Sequence, residues 1–204
     1  MAEFVDILTA QLFVLGFSGL LLFYAATQAW LLLRKKKDPL PTIKSVKVPL
    51  AVLGVYVIIT GLFGQFAWPL PGSYNILFYD MFAIWGFVLV GVAMAFHLKA
   101  KVQYMGFLGL MLGAITIIYG YMGYVLHMTQ SPLMLFGMYG LFGLSGILSY
   151  PASIVFDRAE QTHGHKISAW TVLVALFAFS LLAASVLALV TGIAAVPAHL
   201  LSPP

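Results

Sequence analysis

The sequence of 204 residues contains no cysteine and very little charge. Without cysteine there is no disulfide framework, no thiolate metal site and no Cys nucleophile, and no redox compartment is written in the chain. Charged residues make up 8% of it, where a soluble domain carries about 25%. Phosphate-binding glycine loops, zinc-protease helix motifs and nucleophile elbows are all missing. So are the alternating apolar and polar segments of about 10 residues that build a transmembrane β-barrel. The net charge of +4 does not point to nucleic acid, because the basic residues cluster at the ends of apolar runs.

What the chain has instead is apolar length. Hydrophobic residues reach 62% and the mean hydropathy is +1.03, more apolar surface than an ordinary core can hide, so the solvent must be lipid. A hydrocarbon core of roughly 30 Å needs about 20 helical residues. Stretches near 7–33, 48–68, 73–97, 103–127, 132–155 and 168–196 meet that length. Together they predict an all-α protein with one domain, 1–204, of six transmembrane helices. Nothing remains for a soluble domain.

Orientation follows from charge. All ten basic residues fall in alternate connections: Arg34, Lys35, Lys36, Lys37, Lys44 and Lys47 in the first, Lys99 and Lys101 in the third, Arg158 and Lys166 in the fifth. The positive-inside rule makes those loops cytoplasmic and leaves the N- and C-termini outside the cell membrane. Glu3 and Asp6 precede the first helix, which lacks a basic leader and is too long for a cleaved signal, so it reads as an anchor.

Three of the expected helices share a pattern. The second reads Leu53-Gly54, Ile58-Ile59, Gly61, Gly64, and the fourth reads Leu112-Gly113, Ile117-Ile118, Gly120, Gly123. The sixth keeps small residues at Ser185, Thr191-Gly192 and Ala195. Each follows a basic loop, so the unit is a helical hairpin used three times, related by an axis along the membrane normal; chance likeness among glycine-rich helices is the competing explanation. Gly106, Gly113 and Gly120 form one column on the fourth helix, and Gly137, Gly140, Gly143 and Gly146 recur on the fifth. Lipid gives helices no hydrophobic reason to associate, so small faces that let backbones approach are expected to pack. The same faces could join copies of the chain or bind partner membrane subunits.

Asp80 is the only acid within an expected span, about 9–12 Å below the outer surface. An acid there costs several kcal/mol unless paired or hydrogen-bonded, which makes it a candidate by default. The competing reading is a satisfied packing residue. Its expected partners are Tyr79, Asn75, Gln65, Tyr119, Tyr121 or Tyr124; Asn75 with Tyr74 also suits a cap on the third helix. Trp85 and Tyr119 lie too deep for the interfacial aromatic belt that accounts for Trp30, Trp68 and Trp170. Asp80, Asn75, Trp85, Tyr119 and Tyr121 are therefore the expected pore or ligand-lining residues, in an interior suited to a neutral solute. Among the histidines, His97 and His127 lie at opposite edges and cannot share a haem. His163 and His165 could meet His97 around a metal, but solvated histidine is the ordinary explanation. No metal, cofactor or catalytic residue is expected.

The stretch from Pro71 to Asp80 (PGSYNILFYD), in a six-helix chain of this length, resembles an uncharacterised membrane family of archaea and acidophilic bacteria, labelled a domain of unknown function. More remotely, the plan of six helices, outside termini and repeated hairpins is similar to the proton-gated urea and amide channels. That similarity implies passage of a solute inside one protomer and assembly of protomers in a ring. The expected function is a channel or transporter for a small neutral solute. The alternative is a non-catalytic accessory subunit of a larger membrane complex, such as a respiratory one. An enzyme is disfavoured, since a lone acid without base, nucleophile or metal set makes a poor active site.

Overall fold

A computed structural model describes residues 7–35, 37, 40–161 and 169–201. The elements are α1 (Ile7–Arg34), α2 (Leu40–Lys44), α3 (Lys47–Ala67), α4 (Ser73–Leu98), α5 (Gln103–Val125), α6 (Pro132–Gln161) and α7 (Ala169–Leu201). The described residues hold no strand. All helices but α2 are long and apolar enough to cross a membrane. Their outward faces carry large apolar side chains such as Phe66, Phe179 and Ile193, a surface that only lipid can solvate over this area. The chain is a multi-pass membrane protein.

Two boundaries differ from the sequence expectation. The basic first connection contains the single helical turn of α2. The fifth span does not stop near 155: it continues through Pro151 to Gln161. Asp157 therefore lies inside a helix, and Asp80 is not the only acid in a span.

Backbone strain is confined to the connections. Trp68 ends α3 in the left-handed region, with its N–H bonded to Gly64 O, and Pro69 and Pro71 cannot continue the helix. Gly72 then turns the chain at φ 53, ψ −129, a conformation reserved for glycine.

Alternation places the start of α1, the end of α7 and the connections at 68–72 and 126–131 at one end of the bundle, here the terminal end. The connections after α1, α4 and α6 are at the other, the basic end. The closest helix pairs are α3 with α4, α5 with α6, and α7 with α1; looser contacts between α6 and α7, α4 and α5, and α1 and α3 close a ring. Within the close pairs the small residues meet their partners in the same order. On α3, a Cβ at Gly61 would strike Ala83, one at Gly64 the ring of Tyr79, and one at Gly54 Val90. On α5, the partners are Tyr139 for Gly120, Leu135 for Gly123, and Gly143, Ile147 and Gly146 together for Gly113. On α7, Gly192 faces Phe13, and Ser185 faces Gly19. Each facing helix steps about two turns between its partners (Ala83 to Val90, Tyr139 to Gly146, Phe13 to Gly19). The α5 and α6 backbones approach closely, a Cβ on Gly146 lying 2.7 Å from Gly113 Cα, as the glycine spacing predicts; α3 and α4 match this, with a Cβ on Gly61 2.7 Å from Ala83 Cα.

Candidate functional site

The interior of the ring holds a cavity of about 610 Å³ lined by α1, α4, α5, α6, α7 and the 129–131 turn; α3 contributes nothing to it. Exposed Gln130 and Ser131 stand at its rim, which sets its mouth at the terminal end. Below the rim, α1, α4 and α6 each present side chains at helical spacing. Leu8, Phe78 and Met134 form one layer, Leu12, Phe82 and Met138 the next, and Leu15, Trp85 and Phe142 the floor. Trp85 is held by its own ring nitrogen, which donates to Ser18 Oγ at 3.2 Å. It lies about 18 Å along α4 from Ser73 at 1.5 Å per residue, near the bundle's middle.

Two smaller cavities continue toward the basic end. One of about 80 Å³ shares Trp85, Gly109, Phe142 and Gly146 with the large cavity. A third, of about 20 Å³, shares Ile43, Phe96, Val102 and Phe156 with the second and reaches Lys44, Lys99 and Asp157. Of the four shared residues only Trp85 and Phe142 carry side chains, so these two stand between the first two cavities. Among the described residues, the walls of the two larger cavities contain no Asp, Glu, Lys, Arg or His. Their polarity comes from neutral groups, among them Gln11, Thr116 and Thr129 above and Ser145 below.

Beside this cavity lies a polar lattice. The Asp80 carboxylate accepts from Gln65 Nε2 of α3 at 3.3 Å and from Tyr119 OH of α5 at 3.1 Å. Asp80 thus ties three helices where α4 and α5 are only loosely packed. Asn75, 1% exposed, donates from Nδ2 to Gly64 O at 2.9 Å and accepts from Leu70 N at 3.3 Å. It does not cap its own helix, as the sequence suggests. The Gly72 turn brings it back across the end of α3, where it adds a second donor to Gly64 O, which already accepts from Trp68 N–H. Tyr139 OH donates to Leu77 O at 2.7 Å, and its ring lines the large cavity.

Of the five expected lining residues, Trp85 is in the cavity wall. Asp80, Asn75 and Tyr119 are outside it, in the lattice behind. Tyr121 faces outward, 53% exposed, against Phe136 at 6.3 Å between ring centroids. Partners for Asp80 named from sequence include the two the structure supplies, Gln65 and Tyr119. Tyr124 also packs against Phe136, with ring centroids 5.9 Å apart and planes tilted by 38°.

A family model described as a protein of unknown function (DUF981) matches residues 1–202. The chain belongs to the DUF981 family. No curated protein and no solved structure matches it.

In this DUF981 chain, His97 and His127 are exposed at the ends of their helices, and His163 and His165 lie outside the described residues. No cluster of three or more metal-ligating side chains occurs among the described residues. Sequence reasoning passed over two residues as site candidates: Gln11, which it counts only among scattered neutral polar groups with Gln28, Thr60, Thr116 and Ser145, and Asp157, which it places in a connection. Gln11, 4% exposed, lines the large cavity, and its Nε2 has no hydrogen-bond partner; its place in the second turn of α1 is a signal the sequence holds. Asp157, 7% exposed, accepts from Val102 N at 3.0 Å and Gln103 N at 2.8 Å. It caps α5, whose own N-cap residue makes no side-chain bond.

Proposed function

We propose that this protein is a channel or transporter that admits a neutral solute to the large cavity and passes it between Trp85 and Phe142 toward the basic end. The observation that supports this reading is the succession of three cavities joined by shared wall residues. An ion would enter those walls without a counter-charge, at a cost of several kcal/mol, whereas a neutral molecule loses far less. The positive-inside rule assigns the basic end to the cytoplasm of a cell membrane, so the large cavity opens outward and the narrow ones mark the closed side. The matched partners of α3/α4, α5/α6 and α7/α1 fit a threefold repeat about the bundle axis, with α1 completing the hairpin begun by α7, an arrangement known in transporter halves. On this reading the protein performs no chemical step, and Asp80 sets the spacing of α3, α4 and α5 behind the wall.

The test is stopped-flow light scattering on proteoliposomes with urea, acetamide, glycerol and hexanamide. Faster shrink–swell kinetics than protein-free liposomes for at least one solute are expected, and Met138→Trp, which fills the middle layer, should remove the gain. If folded protein accelerates none of them, transport is overturned and an accessory-subunit role remains. Against that role, the α5 and α6 glycines expected to receive partner helices are largely used within the chain; on α6, only Gly140 has no atom within 4 Å of an added Cβ.

A further inference from the structure

We infer that the molecule taken into the large cavity is a neutral amphiphile, with an apolar body among the Phe, Leu and Met layers and a carbonyl or hydroxyl group bound by Gln11 and Thr129. The inference rests on the reading of this cavity as a solute site and narrows the solute's class. Gln11 is 4% exposed and lines the cavity, yet its Nε2 has no partner. Thr129 lines the same cavity, and its buried Oγ1 also has none. Buried polar groups are nearly always hydrogen-bonded, and leaving one unpaired is costly. An amide nitrogen only donates, so its partner must be an acceptor: a carbonyl, hydroxyl or ether oxygen. A hydroxyl either donates or accepts, so Thr129 tolerates each of these.

The rest of the wall narrows the choice. A carboxylate or ammonium head would find no opposite charge among the described wall residues. A sugar would bury many hydroxyls against Leu, Phe and Met side chains that cannot pair with them. A volume of about 610 Å³ is that of roughly twenty waters at about 30 Å³ each and lies within the range of sites for larger organic ligands. Met81, Met134 and Met138 supply unbranched, polarizable side chains that adapt to an irregular apolar body.

The test uses Trp85 as reporter in a Trp30→Phe, Trp68→Phe, Trp170→Phe variant of the full chain in lipid nanodiscs. The probes are 11-bromoundecan-1-ol, 1-bromoundecane and 11-bromoundecanoate, read by bromine quenching. Saturable quenching is expected from the alcohol, at a concentration about five- to tenfold lower than from the alkane, the worth of one neutral hydrogen bond. The carboxylate should be weakest. Gln11→Leu should abolish the preference for alcohol over alkane while the melting temperature stays level or rises, since the group removed has no partner in the protein. Equal quenching by alcohol and alkane in the parent, a preference that survives Gln11→Leu, or a melting temperature lowered by that substitution overturns the inference. If the alkane quenches saturably without any preference, the cavity remains a solute site and only the amphiphile assignment fails. If no probe quenches saturably from folded protein, both fail together.

Discussion

Replacing Asp157 with alanine removes the acceptor for two backbone amides at once. Val102 N and Gln103 N, at 3.0 and 2.8 Å from the two carboxylate oxygens, belong to the first turn of α5, where intrahelical partners do not exist. A hydrogen bond to a charged group contributes about 1.5–3 kcal/mol, and a carboxylate at a helix N-terminus gains further from the macrodipole. Two such bonds sum to about 3–6 kcal/mol. The freed amides lie at the end of the bundle and recover part of this from water, so we expect Asp157→Ala to cost about 2–4 kcal/mol. Asp157→Asn keeps one acceptor but turns an NH₂ toward a donor, and should cost about half as much. Equilibrium unfolding in mixed dodecylmaltoside and dodecylsulfate micelles, followed by tryptophan fluorescence, measures both. Val102→Ser in the alanine background gives α5 a cap of its own and should return about 1 kcal/mol. An alanine variant within 0.5 kcal/mol of the parent would refute the assignment of Asp157 as the cap of α5.

Gly113→Ala should destabilise by about 2–3 kcal/mol in the same unfolding assay, because the added methyl meets the backbone of α6, including Ile147 N at 2.8 Å, rather than a side chain that can move. Asp80→Asn should cost less than about 1.5 kcal/mol and leave any solute flux intact, since an amide can still accept from Tyr119 and the residue is outside the wall; a selective loss of flux with stability unchanged would place Asp80 on the path. Tyr139→Phe removes the bond to Leu77 O and should cost about 1 kcal/mol, a value the unfolding midpoint reads directly.

Much of this architecture is legible in the residues. Apolar runs of membrane length give the six spans, and the glycine columns give the α5/α6 contact, because lipid leaves close backbone approach as the means of joining helices. Gln65 and Tyr119 are two of the six partners the sequence offers Asp80, and the rotation of α3 and α5 selects them. The cavity was less legible. Its walls are Leu, Met and Phe at helical spacing, which in sequence look the same whether they fill a core or surround a void. Tyr121 and Tyr119 are two residues apart, so one faces inward and the other lipid, and helix rotation decides which. Asp157 is hidden because the apolar run ends near 155 and the polar stretch from Asp157 to Lys166 reads as a connection, whereas the helix runs on to Gln161. Asn75 was misread because its partners, Gly64 O and Leu70 N, are reached only after the Gly72 turn reverses the chain.

The passage between Trp85 and Phe142 is the point on which the transport reading depends, and Phe142→Ala tests it most directly. Phe142 lines both larger cavities, so truncating it joins them without removing the Trp85–Ser18 bond. In acetamide-loaded proteoliposomes, stopped-flow light scattering should show faster acetamide exit for Phe142→Ala than for the parent, and Met138→Trp added to it should return the rate toward that of protein-free liposomes. Folded Phe142→Ala protein whose acetamide exit equals that of protein-free liposomes would contradict a path through the bundle.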